Sequence, residues 1–429
     1  MIFGRTIANL SASSLWSISS DALWTLTAQA ATRGSVIVGS ILLARTMSPI
    51  EFAKYTYFNI VIATFSSYAA MGLGVVVSKH FAQLAQEPNA AAARAASASL
   101  LMAIFASLAM AILLAIVPAY TLQGQLGIPK ILLCIGVVAM TAHAVMSCAV
   151  SALMKFRFVA ATAILAGIVN LTGCAWASYA RNPLIAIMTY VAAYALQVLI
   201  LCQYLIKRKR ESKNAIKYRP KLSDYASAFQ LSLPLFGTTL LTSGSTWLVG
   251  RLVISGEHGA TAFAVLSVGL QWFSLALLLS GALSRAYLPR IVQTLQRSTQ
   301  GSAELRKLVR SGLTFSFYIT LAICVLVLFI SHWVLRLYGP YIKIPIGFLF
   351  LFMLSAVIAS GLNMLGNALV MNGNQKTWLA VTASWFAILV PLTWILRSDG
   401  AIAIAFSYTI AYGFMLLLAL IKARQSLVI

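Results

Sequence analysis

One charged residue stands apart from the rest. Arg33 sits in Gln29-Ala30-Ala31-Thr32-Arg33-Gly34-Ser35, inside an apolar stretch from about residue 22 to about residue 44. About ten residues separate it from either end, roughly 15 Å of helix. A snorkelling side chain reaches the interface only from the last turn or two, and inserting a central arginine costs about 2.5–3.5 kcal/mol. Two arrangements offset that cost. The guanidinium faces a water-filled cavity and receives an anion, or it bonds carbonyls of a neighbouring span. A buried ion pair is not on offer, because all 8 acidic residues lie at span ends or in loops. Asp21, the nearest in sequence, is about 18 Å away along a helix.

Other polar candidates are fewer and weaker. Arg45 and Arg251 stand in Leu43-Ala44-Arg45 and Val249-Gly250-Arg251, near the ends of two spans, where anchoring and ligand contact are equally open. Lys79 and Arg285 hold matching places in Ser78-Lys79-His80-Phe81 and Ser284-Arg285-Ala286-Tyr287. They could gather an anionic headgroup or simply anchor the chain. Asn363 and Asn367, four apart on one helix face, suit a polar path or an interhelical bond. His143 reads as a hydrogen-bonded packing residue.

Other chemistries lack their residues. No Asp or Glu lies deep in any span to bind Na⁺ or relay protons. Gly373-Asn374-Gln375-Lys376-Thr377 is no Walker loop, since no glycine precedes the lysine, and Gly72-Leu73-Gly74 lacks the third glycine of a dinucleotide loop. No nucleophile, base and orienting group can be assembled, so neither an enzyme nor a cofactor is expected. Cys134, Cys148, Cys174, Cys202 and Cys324 lie in apolar stretches without ligand spacing, which excludes a metal site and a disulfide framework.

The elements that must position these residues follow from composition. Of 429 residues, 61% are hydrophobic and 9% charged, whereas a soluble domain is about a quarter charged. Such a chain in water would expose large apolar patches. The formal net charge of +23 would otherwise point to nucleic acid; here it reads as basic loops held on one membrane face. Apolar spans run at approximately 22–44, 56–78, 96–118, 131–153, 158–180 and 184–206, then 228–254, 261–283, 311–331, 344–371, 378–396 and 400–421. The expected fold is an all-α polytopic membrane protein of about twelve transmembrane helices in two six-helix lobes. Residues 1–206 form the first lobe, 207–223 a basic cytosolic linker and 224–429 the second. The first twenty residues read as a short helix on the membrane face. Most Lys and Arg fall in even-numbered loops and at the termini, which places both termini in the cytosol.

The halves resemble each other. Ser20-Asp21 precedes the first span as Ser223-Asp224 precedes the seventh, each suited to a helix N-terminus. Six helices per half keep both halves in one orientation, so the repeat is parallel, about an axis along the membrane normal.

Leu42-Leu43-Ala44-Arg45-Thr46-Met47-Ser48-Pro49-Ile50-Glu51-Phe52-Ala53-Lys54-Tyr55 resembles the connection between the first two spans of polysaccharide flippases of the MOP superfamily, with Ala53 where glycine is frequent. Met71-Gly72-Leu73-Gly74, the Phe229 to Pro234 opening of the seventh span and the twelve-span layout fit as well. The chain is most similar to Wzx-type O-antigen flippases. That resemblance implies a bacterial inner-membrane protein that moves undecaprenyl-pyrophosphate-linked oligosaccharide to the periplasmic leaflet. It implies membrane lipid, a polysaccharide polymerase and a ligase as partners, and no nucleic acid. The alternatives are a MATE-like multidrug or cation antiporter of the same superfamily and a non-transporting membrane glycan-assembly protein. The antiporters generally carry a membrane-embedded carboxylate, in place of which span 1 here has Arg33.

Overall fold

A computed structural model of the chain describes residues 12–86, 90–117, 127–211, 220–256, 259–297, 302–340, 342 and 344–427. The first half contains α1 (Ala12–Thr46), α2 (Pro49–Ala70), α3 (Leu73–Gln86), α4 (Ala90–Ile116), α5 (Lys130–Ala152), α6 (Phe156–Ala180) and α7 (Pro183–Glu211). The second contains α8 (Leu222–Ile254), α9 (Gly259–Arg297), α10 (Ser302–Phe329), α11 (Ser331–Leu337), α12 (Ile346–Met371), α13 (Gln375–Leu396) and α14 (Ala401–Leu427). Among the described residues, ten helices are long and apolar enough to cross a membrane, and an eleventh span results if the pair α2 and α3, bent by 50°, crosses as one. The protein is a multi-pass helical membrane protein.

The remaining expected span is α8. Its 33 residues exceed the roughly 20 that a bilayer requires, but serines and threonines thin its apolar character. Those hydroxyls turn back on their own helix. Thr238 and Thr239 both donate to the Leu235 carbonyl, Thr242 to Thr238, Ser245 to Leu241 and Thr246 to Thr242. A hydroxyl satisfied by its own backbone asks nothing of lipid, so a helix of mixed composition can still span.

Several expectations need correction. Residues 12–20 are continuous with the first span in α1 and do not form a separate surface helix; residues 1–11 lie outside the described chain. Ser20-Asp21 therefore falls within α1, not at its N-terminus. In α8 the expected cap holds, with Asp224 in the first turn accepting the Lys221 backbone N–H at 2.8 Å. The span at 56–78 is not one helix, because Met71 (φ 46°) and Gly72 (φ 71°) adopt left-handed backbone and break it into α2 and α3. That bend docks on α8: a Cβ at Gly72 would stand 2.6 Å from Leu235 Cβ. The Met71–Gly74 and Phe229–Pro234 stretches thus converge in space. Short α11, after the ninth span, was not legible in the hydropathy.

Helix neighbours repeat between the halves. α1 packs on α6 as α8 packs on α13; α4 on α5 as α10 on α12; α5 on α7 as α12 on α14. Arg45 and Arg251, Glu51 and Glu257, Tyr57 and Phe263, Ser78 and Ser284, and Lys79 and Arg285 are all the same number of positions apart. Tyr57 and Phe263 also touch, their rings edge to face with centroids 5.4 Å apart. Equivalent residues of a two-fold repeat can touch only at its axis, so the pseudo-axis passes between these rings.

The lobes share a core at the end opposite the basic loops; towards the basic end one of their two seams stays closed and the other opens. One continuous apolar core, including Leu43, Phe58, Phe263 and Phe352, runs through both lobes. A second core, around Leu73, Phe81, Ala96 and Val145, belongs to the first lobe alone and lies at the basic end. On one side the seam is held along its length. Thr64 donates to the Ser243 carbonyl at 3.2 Å and Tyr68 to the Leu240 carbonyl at 3.1 Å, while Arg94 lies 3.6 Å from Asp224 at the basic end. On the other side α1 and α9 part. Ser35, Ser40, Leu43 and Ala44 are buried, but every residue from Leu23 to Gly34 is at least partly exposed.

The bend at Gly72 brings the backbone of the first lobe hard against α8 of the second. Gly72→Ala combines positive φ with a clash and is expected to cost about 1–3 kcal/mol, lowering the thermal unfolding midpoint in detergent. Gly347→Ala, whose added Cβ meets nothing within 4 Å, is expected to leave the midpoint unchanged or slightly raised.

Candidate functional site

Arg33 lies on the face of α1 that looks at α9. Its Nη1 donates to the Ser274 carbonyl at 3.0 Å. Nearer the closed end on the same face, Ser40 Oγ donates to Gln271 Oε1 at 2.6 Å. Trp272 Nε1 donates to the Tyr338 hydroxyl at 3.0 Å, and that hydroxyl reaches Gln271 Oε1 at 3.5 Å. Bonding to a neighbouring span is thus realised, and Arg33 and Ser274 are both exposed all the same. The seam is sealed beyond Ser40 and open at Arg33.

Behind Arg33, the first lobe is polar. The guanidinium is close enough to the Tyr194 hydroxyl to act on it electrostatically. Tyr194 stacks edgewise on Tyr190, their hydroxyls 3.5 Å apart, and its ring lies 5.1 Å from that of His143. Asn170 Nδ2 donates to Ser35 Oγ at 3.5 Å, and Gln197 Nε2 to the Thr162 carbonyl at 3.1 Å. Between α1, α6 and α7, Thr32, Ser35, Asn170, Tyr190, Tyr194 and Gln197 help to line a cavity of about 20 Å³, room for one water. Gln197 Oε1 and Gln29 Nε2 are buried without a hydrogen-bond partner. Each such group costs about 1–3 kcal/mol, a cost that a water, an ion or a ligand relieves.

The second lobe repeats the scaffold without the charge. Thr189-Tyr190 and Ala193-Tyr194 in α7 match Ser407-Tyr408 and Ala411-Tyr412 in α14, at the same places from each helix start. The second pair is packed among rings, with Phe273 and Trp385 5.3 and 5.2 Å from Tyr412 and Phe352 5.3 Å from Tyr408. At the spacing that relates Arg45 to Arg251, the counterpart of Arg33 is Thr239. The cation belongs to one lobe only.

The other sequence candidates do not gather around Arg33. Arg45, about 18 Å further along α1, is exposed at the closed end, where Gly339 (φ 77°) packs on it; a Cβ there would lie 3.1 Å from Arg45 Cα. Arg251 is also at that end, in electrostatic reach of Tyr57. Lys79 is exposed on α3 at the basic end. Arg285 follows Ser274 by three turns of α9 and so shares its helix face; its side chain lies outside the described residues. Asn363 is exposed and Asn367 half-buried on α12, towards the basic end of that helix. Sequence reasoning passed over Gln29, Asn170, Tyr190, Tyr194, Gln197 and Gln271. The signal that could have found the tyrosines is their repetition in both halves, at the same distance from each helix start.

No family model matches the chain, and no curated protein matches it. Solved structures do. The inward-facing conformation of a multidrug resistance MATE family transporter of the MOP superfamily aligns at TM-score 0.73 and 15% identity, over 95% of this chain and 98% of that one. The outward-facing conformation of such a transporter aligns at 0.69 and 13%, over 96% and 95%. A MATE protein in complex with MaL6 aligns at 0.70 and 13%, over 96% of each chain. The chain has the fold of the MATE transporters. Likeness at such identities shows the fold and says nothing of the substrate.

Because Arg33 and Ser274 lie within spans yet are exposed, water must reach them if the gap between the lobes is an aqueous cavity. In a cysteine-free background, Arg33→Cys and Ser274→Cys are expected to react with a membrane-impermeant thiol reagent added at the basic face. Val265→Cys, at a buried position of α9, is expected to stay unlabelled. Failure of both seam cysteines to react would mean that this gap faces lipid.

Proposed function

We propose that the protein is a flippase. It carries undecaprenyl-pyrophosphate-linked oligosaccharide from the cytosolic to the periplasmic leaflet of the bacterial inner membrane, for O-antigen or a related surface polysaccharide. One observation carries this reading: the exposed mid-span cation of the MATE-like fold is Arg33, at the seam between the lobes. A guanidinium favours anions, and its planar fork suits phosphate oxygens. Both termini and the basic loops face the cytosol, so the lobes part towards the side where lipid-linked sugars are assembled. Lys79 and Arg285 gather the pyrophosphate there, Arg33 receives it, and the polyprenyl tail stays in lipid. A polymerase and a ligase would consume the delivered unit.

The driving force need not be a coupled ion. Exporting a charge of about −2 from a negative cytosol gains about 4 to 5 kcal/mol per 100 mV.

The second reading is a multidrug or cation antiporter, favoured by the MATE structures that share the fold. Charge argues against it. Among the described residues, Glu51, Glu211, Asp224 and Glu304 sit in terminal turns of helices and Asp399 lies between helices. Asp21, inside α1, is about 18 Å from Arg33 along the helix, and a cationic substrate would meet Arg33 as its first mid-span charge. Complementation of a flippase-deficient strain separates the readings. Wild type is expected to restore surface glycan. Arg33→Ala, at equal membrane abundance, is expected to reduce it at least tenfold and to accumulate cytosol-facing lipid-linked units. Arg33→Lys is expected to rescue in part, because charge survives and the fork does not. Equal function of wild type and Arg33→Ala would refute the assignment.

A further inference from the structure

Gln29 precedes Arg33 by four residues, one turn of α1, so the two side chains are neighbours on one face. Ser40 shares that face, and the partners of Arg33 and Ser40 both belong to α9. The stripe Gln29, Arg33 and Ser40 therefore looks into the α1–α9 seam. Gln29 lies on the open side of Arg33, and its Nε2 is a buried donor without a partner. The acceptor of Arg33 Nη1 across the seam is a neutral main-chain carbonyl, that of Ser274. A phosphate oxygen is the stronger acceptor for a guanidinium, since both partners are then charged.

We propose that Gln29 is the second anion-binding residue. Gln29 Nε2 and the Arg33 guanidinium receive a phosphate-type anion together, and that anion replaces the Ser274 carbonyl as the acceptor of Arg33. This rests on the anionic-substrate reading above and assigns it a consequence. The Arg33–Ser274 bond ties the lobes on the weaker of their two seams, where Ser40–Gln271 is the next bond along. The opposite seam keeps Thr64–Ser243, Tyr68–Leu240 and Arg94–Asp224, none of which involves the site. Occupancy of the site removes one tie from one seam only. The lobes are thereby released on the α1–α9 side while α2 and α8 stay joined.

The test uses the full chain in nanodiscs with farnesyl pyrophosphate as the probe and farnesol as the tail-only control. Gln29→Leu is expected to weaken probe binding three- to tenfold. Gln29→Glu places a carboxylate one turn from Arg33 and is expected to abolish it, while the unfolding midpoint of Gln29→Leu is expected to be unchanged or raised, since a buried unpartnered donor is removed. In a cysteine-free background, disulfide formation between Ser40→Cys and Gln271→Cys is expected to fall with farnesyl pyrophosphate and to ignore farnesol. Adding Gln29→Glu is expected to lower it without any probe. Arg33-dependent binding with Gln29→Leu indistinguishable from wild type overturns this inference and leaves the flippase reading standing. Crosslinking indifferent to the probe overturns the release of the seam. Failure of wild type to bind farnesyl pyrophosphate overturns both.

Discussion

A charge inside a bilayer has to be offset, and in this protein that requirement falls on Arg33. Its insertion cost, about 2.5–3.5 kcal/mol, is a large share of the 5–15 kcal/mol by which folded proteins are typically stable. The structure offsets it with a carbonyl from the other lobe and with exposure at the mouth of a seam. Neither is available to an isolated α1. The arginine therefore depends on the approach of the lobes, and the α1–α9 contact depends in turn on the arginine.

That mutual dependence explains how two similar halves do different work. The tyrosine pairs of α7 and α14 hold the same places, yet one faces Arg33, Asn170 and Gln197 and the other is enclosed by Phe273, Phe352 and Trp385. The first lobe has room for a water beside its tyrosines; in the second, aromatic rings pack against the equivalent pair. Tyr57 and Phe263 meet at the pseudo-axis, in the well-packed end where the common core runs through both lobes. Movement of one lobe against the other leaves contacts at an axis least disturbed. At the basic end the first lobe has a core of its own, so parting there leaves that core intact.

Much of the fold was legible in the sequence because the bilayer is an undemanding reader. A span needs length and apolarity, and these located the spans, although α1, α9 and α10 run nine to fourteen residues beyond the expected bounds. What escaped were features set by backbone geometry and by neighbours. The break at Met71-Gly72 interrupts no apolar run; it follows from left-handed backbone docked on Leu235. Helix α1 continues back to Ala12 through a serine-rich stretch that hydropathy leaves outside the span. Arg33 was legible as a site because its charge conflicts with its surroundings. Tyr190, Tyr194 and Asn170 were not, since they raise no such conflict and acquire meaning only through the helices beside them. The carbonyl of Ser274 could not be read at all, because main chain carries no signature.

The most direct test of the account is translocation by the purified chain in liposomes, followed with a polyprenyl-pyrophosphate-linked oligosaccharide under an imposed membrane potential. Wild type should move the lipid-linked sugar, faster when the starting side is negative, and Arg33→Ala should lose that movement while remaining folded. Translocation that ignores both Arg33 and the potential would contradict the account, as would efflux of a cationic drug in its place.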